Sequence, residues 1–254
     1  MRKNPLVILF ASLWLAAMFP GLSAAAPSGE AAKEHFSQGV AALSQGNPSG
    51  AVEKFTEALN LDPEMTEAYI NRGIAHLRLE QYVDAVTDLD QAIEIDPQAT
   101  EAYYNRALAY SRQGLYDQAL QDYTQALKYA PKDWQIYYNR GNAYLDMSKS
   151  QDALNNYQKA LKIRPHAPEI LHNRGVAYLN LGEAELALED AEEVLEINPN
   201  FARAYYTKAQ ALDKLGKKPE ALAAYREFLR MGNPTGDADL LQKALARLKA
   251  LEGK

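Results

Sequence analysis

Residues 66–99 read TEAYINRGIAHLRLEQYVDAVTDLDQAIEIDPQA, and the spacing inside this stretch decides the fold. Numbered 1 to 34, it places Tyr69, Gly73 and His76 at positions 4, 8 and 11, which share one face of a 3.6-residue helix. Ala85, Leu89 and Ala92, at positions 20, 24 and 27, make the equivalent face of a second helix. Small residues at positions 8 and 20 let the two backbones approach closely. Pro97 at position 32 ends the second helix, because proline lacks the amide hydrogen and its ring clashes with the preceding turn. The stretch therefore predicts a helix, a short turn and an antiparallel helix.

The same spacing recurs on both sides. Position 20 is alanine six times, at Ala51, Ala85, Ala119, Ala153, Ala187 and Ala221. Position 32 is proline at Pro63, Pro97, Pro131, Pro165 and Pro199. Position 8 holds Gly39, Gly73, Ala107, Gly141, Gly175 and Ala209, and position 24 holds Phe55, Leu89, Tyr123, Tyr157, Ala191 and Tyr225. A fixed 34-residue period means one structural unit copied along the chain.

These units resemble the tetratricopeptide repeat family over residues 32–235. The resemblance implies an all-α, right-handed solenoid of six helix-turn-helix units, 32–65, 66–99, 100–133, 134–167, 168–201 and 202–235, with first helices lining a concave side. The fifth unit exchanges large for small, with Ala191 at position 24 and Val194 at 27, which predicts local repacking. Residues 236–254 are expected to be a capping helix and tail, its apolar stripe being Leu241, Leu245 and Leu248.

Composition narrows the function. The 254 residues are 47% hydrophobic and 24% charged, as in a folded globular chain, with a formal net charge of −6. No basic excess is available for counterion release, which argues against nucleic acid as a partner. There is no cysteine. Disulfides, thiolate metal sites and a cysteine nucleophile are therefore excluded. No glycine-rich phosphate loop or serine elbow appears, so the chain is read as a non-enzyme without cofactor. His166, Glu169 and His172 lie three apart across a helix start, a spacing too weak to predict a metal site.

The N-terminus has its own pattern. Arg2 and Lys3 precede the uncharged run LVILFASLWLAAMF, Leu6 to Phe19, and Pro20 and Gly21 are followed by Ser23, Ala24 and Ala25. This is the order of an export signal over residues 1–25, cleaved after Ala25 and followed by a short linker at 26–31. The 14-residue apolar run is shorter than the ~20 residues of a spanning helix. The expectation is an exported protein, in a periplasm or an equivalent lumenal or extracellular compartment. Membrane contact would come only through an uncleaved signal or a membrane-protein partner.

The repeat also points to a face. Positions 2, 5, 6, 9 and 13 lie opposite the packing face of the first helix. Position 6 carries Asn71, Asn105, Asn139 and Asn173, whose amides carry both donors and acceptors for a peptide backbone. Position 5 carries Tyr104, Tyr138, His172 and Tyr206, aromatic anchors of large area and low entropy cost. These eight residues form the candidate groove for a protein or extended peptide. The alternative for the asparagines is contact with the neighbouring helix, and for the rings, packing between first helices. Position 2 is acidic at Glu67, Glu101 and Glu169, while position 13 is basic at Arg78, Arg112 and Lys214. Position 7 repeats as Arg72, Arg106, Arg140 and Arg174 opposite Asp88, Asp122, Asn156 and Asp190 at position 23, a pattern that predicts structural pairing. The function expected is a scaffold or assembly factor that binds a partner segment. Self-association is the alternative.

Overall fold

The computed structural model describes residues 25–253, and these form thirteen α-helices. The export-signal expectation lies outside them, apart from Ala25. The helices pair as α1 (Ala25–Ser44) with α2 (Pro48–Leu61), α3 (Thr66–Arg78) with α4 (Tyr82–Ile95), and α5 (Thr100–Arg112) with α6 (Tyr116–Tyr129). They continue as α7 (Trp134–Asp146) with α8 (Ser150–Ile163), α9 (Pro168–Leu181) with α10 (Ala184–Ile197), and α11 (Ala202–Lys214) with α12 (Lys218–Met231). A single helix, α13 (Ala238–Glu252), packs on α12. Residues 26–31 are not a linker but part of α1: Pro27 falls in the first turn, where a missing amide hydrogen costs little, and helix-forming alanine, glutamate and lysine follow Gly29.

The core repeats with the sequence. Ala51, Ala85, Ala119, Ala153, Ala187 and Ala221 are all fully buried. The glycines at position 8 face the large residue at position 24. A methyl group added at Gly141 would stand 2.6 Å from the Tyr157 ring, and one at Gly73 would stand 2.9 Å from the Leu89 side chain. In the fifth unit Ala191 leaves that space, and a methyl at Gly175 would meet nothing closer than the Asp190 Cβ at 3.4 Å. Thr207 of the next unit moves in, its Cγ2 3.5 Å from the same point and its side chain buried. This is the repacking that the Ala191 and Val194 exchange predicts.

The turn inside each unit has a fixed geometry. Position 15 has a positive φ in all six, as Gly46, Glu80, Gly114, Ser148, Gly182 and Gly216. Glycine adopts this conformation without steric cost, whereas Glu80 and Ser148 hold it at φ 59° against the clash of their Cβ atoms.

Successive first helices touch: α1 packs on α3, α3 on α5, α5 on α7, α7 on α9 and α9 on α11. Successive second helices do not make equivalent contacts among the described residues. The stack is therefore tighter on the first-helix side, which makes that side concave in an all-α solenoid. Ala244, Leu248 and Leu251 of α13 join the core of the last unit, with Leu241 packed alongside. Leu245 is 43% exposed and is not part of the seal. The expected stripe is thus shifted: the buried spacing runs 241, 244, 248, 251, which turns residue 245 away.

Candidate functional site

The position-7 arginines hold each unit together. Arg72 bonds Asp88 through two nitrogens at 2.9 and 2.6 Å, Arg106 bonds Asp122 at 2.7 Å twice, and Arg174 bonds Asp190 at 2.9 and 2.6 Å. Arg140 makes a single bond to Asn156, from Nε to the amide oxygen at 2.9 Å. The carboxylates are almost fully enclosed while the arginine stems are half-buried. The Nη1 of Arg72 and of Arg140 reaches the preceding unit, at Thr56 and Thr124. The hydrogen bonds that Arg174 donates to the Asp190 carboxylate raise its pKa further, so the guanidinium stays charged. These arginines are structural, and they leave the concave face to other residues.

On that face, the four asparagines divide into two pairs. Asn71 and Asn105 donate their side-chain amides to the carbonyls of Glu67 and Glu101, one turn back, each at 2.8 Å. Asn139 donates to the Gln135 carbonyl at 3.0 Å and to the Tyr104 hydroxyl at 2.9 Å. Asn173 donates to the Tyr138 hydroxyl at 3.2 Å and to the Asn142 amide oxygen at 2.9 Å. Because carbonyl oxygens accept these bonds, the amide nitrogen must point inward. The Oδ1 atoms accept no protein donor among the described residues, and none is fully enclosed. The row therefore offers acceptors to a ligand, with most amide donors already used, half of the bonds within a helix and half between neighbouring first helices. Asn105 is only 7% exposed and is the least accessible of the four.

The rings at position 5 pack first and are exposed second. Tyr104, Tyr138 and Tyr206 lie 6.2, 6.2 and 6.1 Å from the rings of Tyr123, Tyr157 and Tyr225 in their own units. Burial, with the nearby Asp133 carboxylate, pushes the Tyr104 pKa up to about 12, and burial raises those of Tyr138 and Tyr206. His172 has no large ring at position 24 to meet and turns to Phe201 at 5.2 Å. Burial, with the Arg203 charge, lowers its pKa to about 4, so it is neutral near pH 7. His166 instead contacts Glu193 at 2.6 Å, and Glu169 contacts Arg164 at 2.6 Å. The three residues of the weak metal spacing thus turn to three different partners.

Two cavities lie along the first helices and share Ile74. One, of about 330 Å³, is lined by Thr100, Glu101, Tyr104, Asn105, Asp133, Gln135 and Ile136. The other, of about 280 Å³, is lined by Leu77, Arg78, Glu80, Tyr82, Leu108 and Arg112. The structure thus brings together Tyr104, Asn105 and the neighbouring Asn139. Tyr206 stands apart at the capped end, where Leu241 lies 35 residues on, at the place that asparagine holds after Tyr104 and Tyr138. The Tyr104–Asn139 and Tyr138–Asn173 rungs span 35 residues, and that offset between positions 5 and 6 was open to a reading of the sequence.

Models of the tetratricopeptide repeat match residues 36–100, 100–133, 122–155, 168–201 and 191–223, and a TPR repeat model matches 142–182. The chain belongs to the tetratricopeptide repeat family. No catalytic family is among these matches, and no curated protein matches the sequence. Among solved structures of such repeats, YrrB, described as a TPR protein with an unusual peptide-binding site, is 24% identical. Its match covers 78% of this chain and 99% of YrrB, with a TM-score of 0.65. A MamA chain from Desulfovibrio magneticus RS-1, running from residue 41 to its end, is 24% identical over 68% of this chain and 98% of that one, with a TM-score of 0.64. PilF from Pseudomonas aeruginosa is 17% identical over 87% of this chain and 99% of PilF, with a TM-score of 0.73. At these identities the likeness is one of fold. The tetratricopeptide repeats of this chain make it a protein–protein interaction module.

Proposed function

We propose that this protein is a non-catalytic scaffold or assembly factor that holds an extended segment of a partner protein along its concave first-helix face. One observation carries the reading: two cavities that share Ile74, one between α3, α5 and α7 beside Tyr104 and Asn105, the other between α3 and α5 beside Leu108. Amide oxygens that accept no protein donor suit the N–H groups of a backbone, and half-buried tyrosines suit side chains of mixed character. YrrB, a TPR protein with a peptide-binding site, supports the same use of the fold. The module works in an exported compartment, a reading supported by the charged, apolar and small-residue order of residues 2–25. No described helix is long and apolar enough to cross a membrane.

The test is photo-cross-linking in cells. A benzoyl-phenylalanine at Gln135, on the concave face, is expected to trap a partner. The same group at Val83, which is 71% exposed and lies on a second helix, is expected to trap none. Adducts from residue 83 alone would refute the groove, and adducts of the chain with itself would favour self-association. Mass spectrometry of the exported protein is expected to find Ala26 at the N-terminus; a mature chain starting at Met1 would refute cleavage.

A further inference from the structure

We propose that the concave face over α3 and α5 selects for charge order: it takes an extended segment with positive side chains on one edge and negative side chains on the other. The inference rests on the groove reading above and adds the chemistry of the occupant.

Glu67 and Glu101 are the second residues of α3 and α5, and Arg78 and Arg112 are the last residues of the same helices. Eleven residues of helix separate the two rails by ~16 Å, room for one extended backbone with a charged side chain to either side. Both glutamates are exposed and have no ion-pair partner among the described residues. Both arginines are exposed as well. Arg78 uses one nitrogen on the Leu43 carbonyl at 2.8 Å, and neither arginine meets a carboxylate at salt-bridge distance among the described residues. Like charges therefore line each rail, and the rails have opposite signs.

Between the rails lie the Asn71 and Asn105 amide oxygens and the apolar side chains of Ile74 and Leu108. A backbone that donates its N–H groups down to those oxygens must send its side chains sideways, because strand side chains stand perpendicular to the hydrogen-bonding direction. Successive residues then face opposite rails. The order ends with the third unit: position 2 becomes neutral at Gln135, and position 13 turns acidic at Asp146. The selective length is two units, about six extended residues at ~8–10 Å per helix and ~3.3 Å per residue.

Two octapeptides of identical composition separate charge order from net charge. One alternates lysine and glutamate; the other carries them in pairs, Lys-Lys-Glu-Glu-Lys-Lys-Glu-Glu. When extended, the first puts each sign on its own edge, and the second mixes signs on both edges. Fluorescence anisotropy with the protein at low ionic strength is expected to give the alternating peptide at least about fivefold tighter binding, a ratio set by a few exposed ion pairs. Glu67→Lys with Glu101→Lys should abolish the preference. Adding Arg78→Glu with Arg112→Glu should restore it, because the peptide then shifts by one residue. Equal binding of both peptides, or a preference indifferent to these changes, would overturn the inference. If neither peptide binds while a captured partner still occupies the first helices, the charge rule fails and the groove reading stands. A partner seated on the second helices would overturn both.

Discussion

Asn139 donates its side-chain amide to the Tyr104 hydroxyl at 2.9 Å, across 35 residues and from one repeat to the next. Asn173 repeats the contact with Tyr138 at 3.2 Å. One periodic pair therefore both ties neighbouring first helices together and lines the concave face. Tyr104→Phe should cost about 1 kcal/mol, the net value of one hydrogen bond, since Asn139 keeps its bond to the Gln135 carbonyl. Asn139→Ala removes both bonds and should cost more. Urea unfolding of the two single variants and the double variant should reveal coupling of about 0.5–1 kcal/mol; strict additivity would deny the rung.

The turn geometry makes a separate prediction. Glu80 and Ser148 hold φ 59° where four other units place glycine. Relief of Cβ strain is worth about 1–2 kcal/mol, and the added freedom of the unfolded glycine removes about 0.5–1 of it. Glu80→Gly and Ser148→Gly should each raise stability by roughly 0.5–1 kcal/mol. The two turns share no contacts, so the effects should add. A lower melting temperature in either variant would contradict the assignment.

His172 should give the fold an acid sensitivity. Its pKa is lowered from 6.5 to about 4, so the unfolded chain binds the proton more tightly. The stability it protects is complete above pH 6.5 and is lost as the pH falls toward 4, a total of about 3 kcal/mol. His172→Phe should flatten that part of the stability–pH curve relative to the parent, with the carboxylate contribution common to both. Identical curves between pH 7 and pH 4.5 would show that His172 is not enclosed.

The cap separates two leucines one turn apart. Leu248 is 9% exposed and Leu245 is 43% exposed. Leu248→Ala should destabilise by about 2 kcal/mol or more, and Leu245→Ala by less than about 0.5 kcal/mol. Thermal melts distinguish them, and equal effects would mean that α13 is not seated as described.

Much of this was legible in the sequence because the repeat multiplies each signal. The buried alanines at position 20, the Arg72–Asp88 type of pair and the fifth-unit repacking all follow from spacing and volume. The cap was read one residue out, since Leu241, Leu245 and Leu248 satisfy a helical stripe as well as Leu241, Ala244 and Leu248 do. Alanine carries little hydrophobic signal, so only packing decides. The asparagines were the harder case. Their chemistry suits a peptide, but an amide serves an intrahelical carbonyl equally well, and residue type does not reveal that Asn139 already has two acceptors. The positive φ at Glu80 and Ser148 was hidden for the converse reason: neither residue type announces a left-handed turn, although the period aligns both with Gly46 and Gly114.

A partner is expected to lie on the first helices, and hydrogen–deuterium exchange of the protein with and without a partner recovered from its own compartment will show where it sits. Binding should slow exchange in α3, α5 and α7 and leave α4, α6 and α8 unchanged. Protection of the second helices, or of α13 alone, would contradict it.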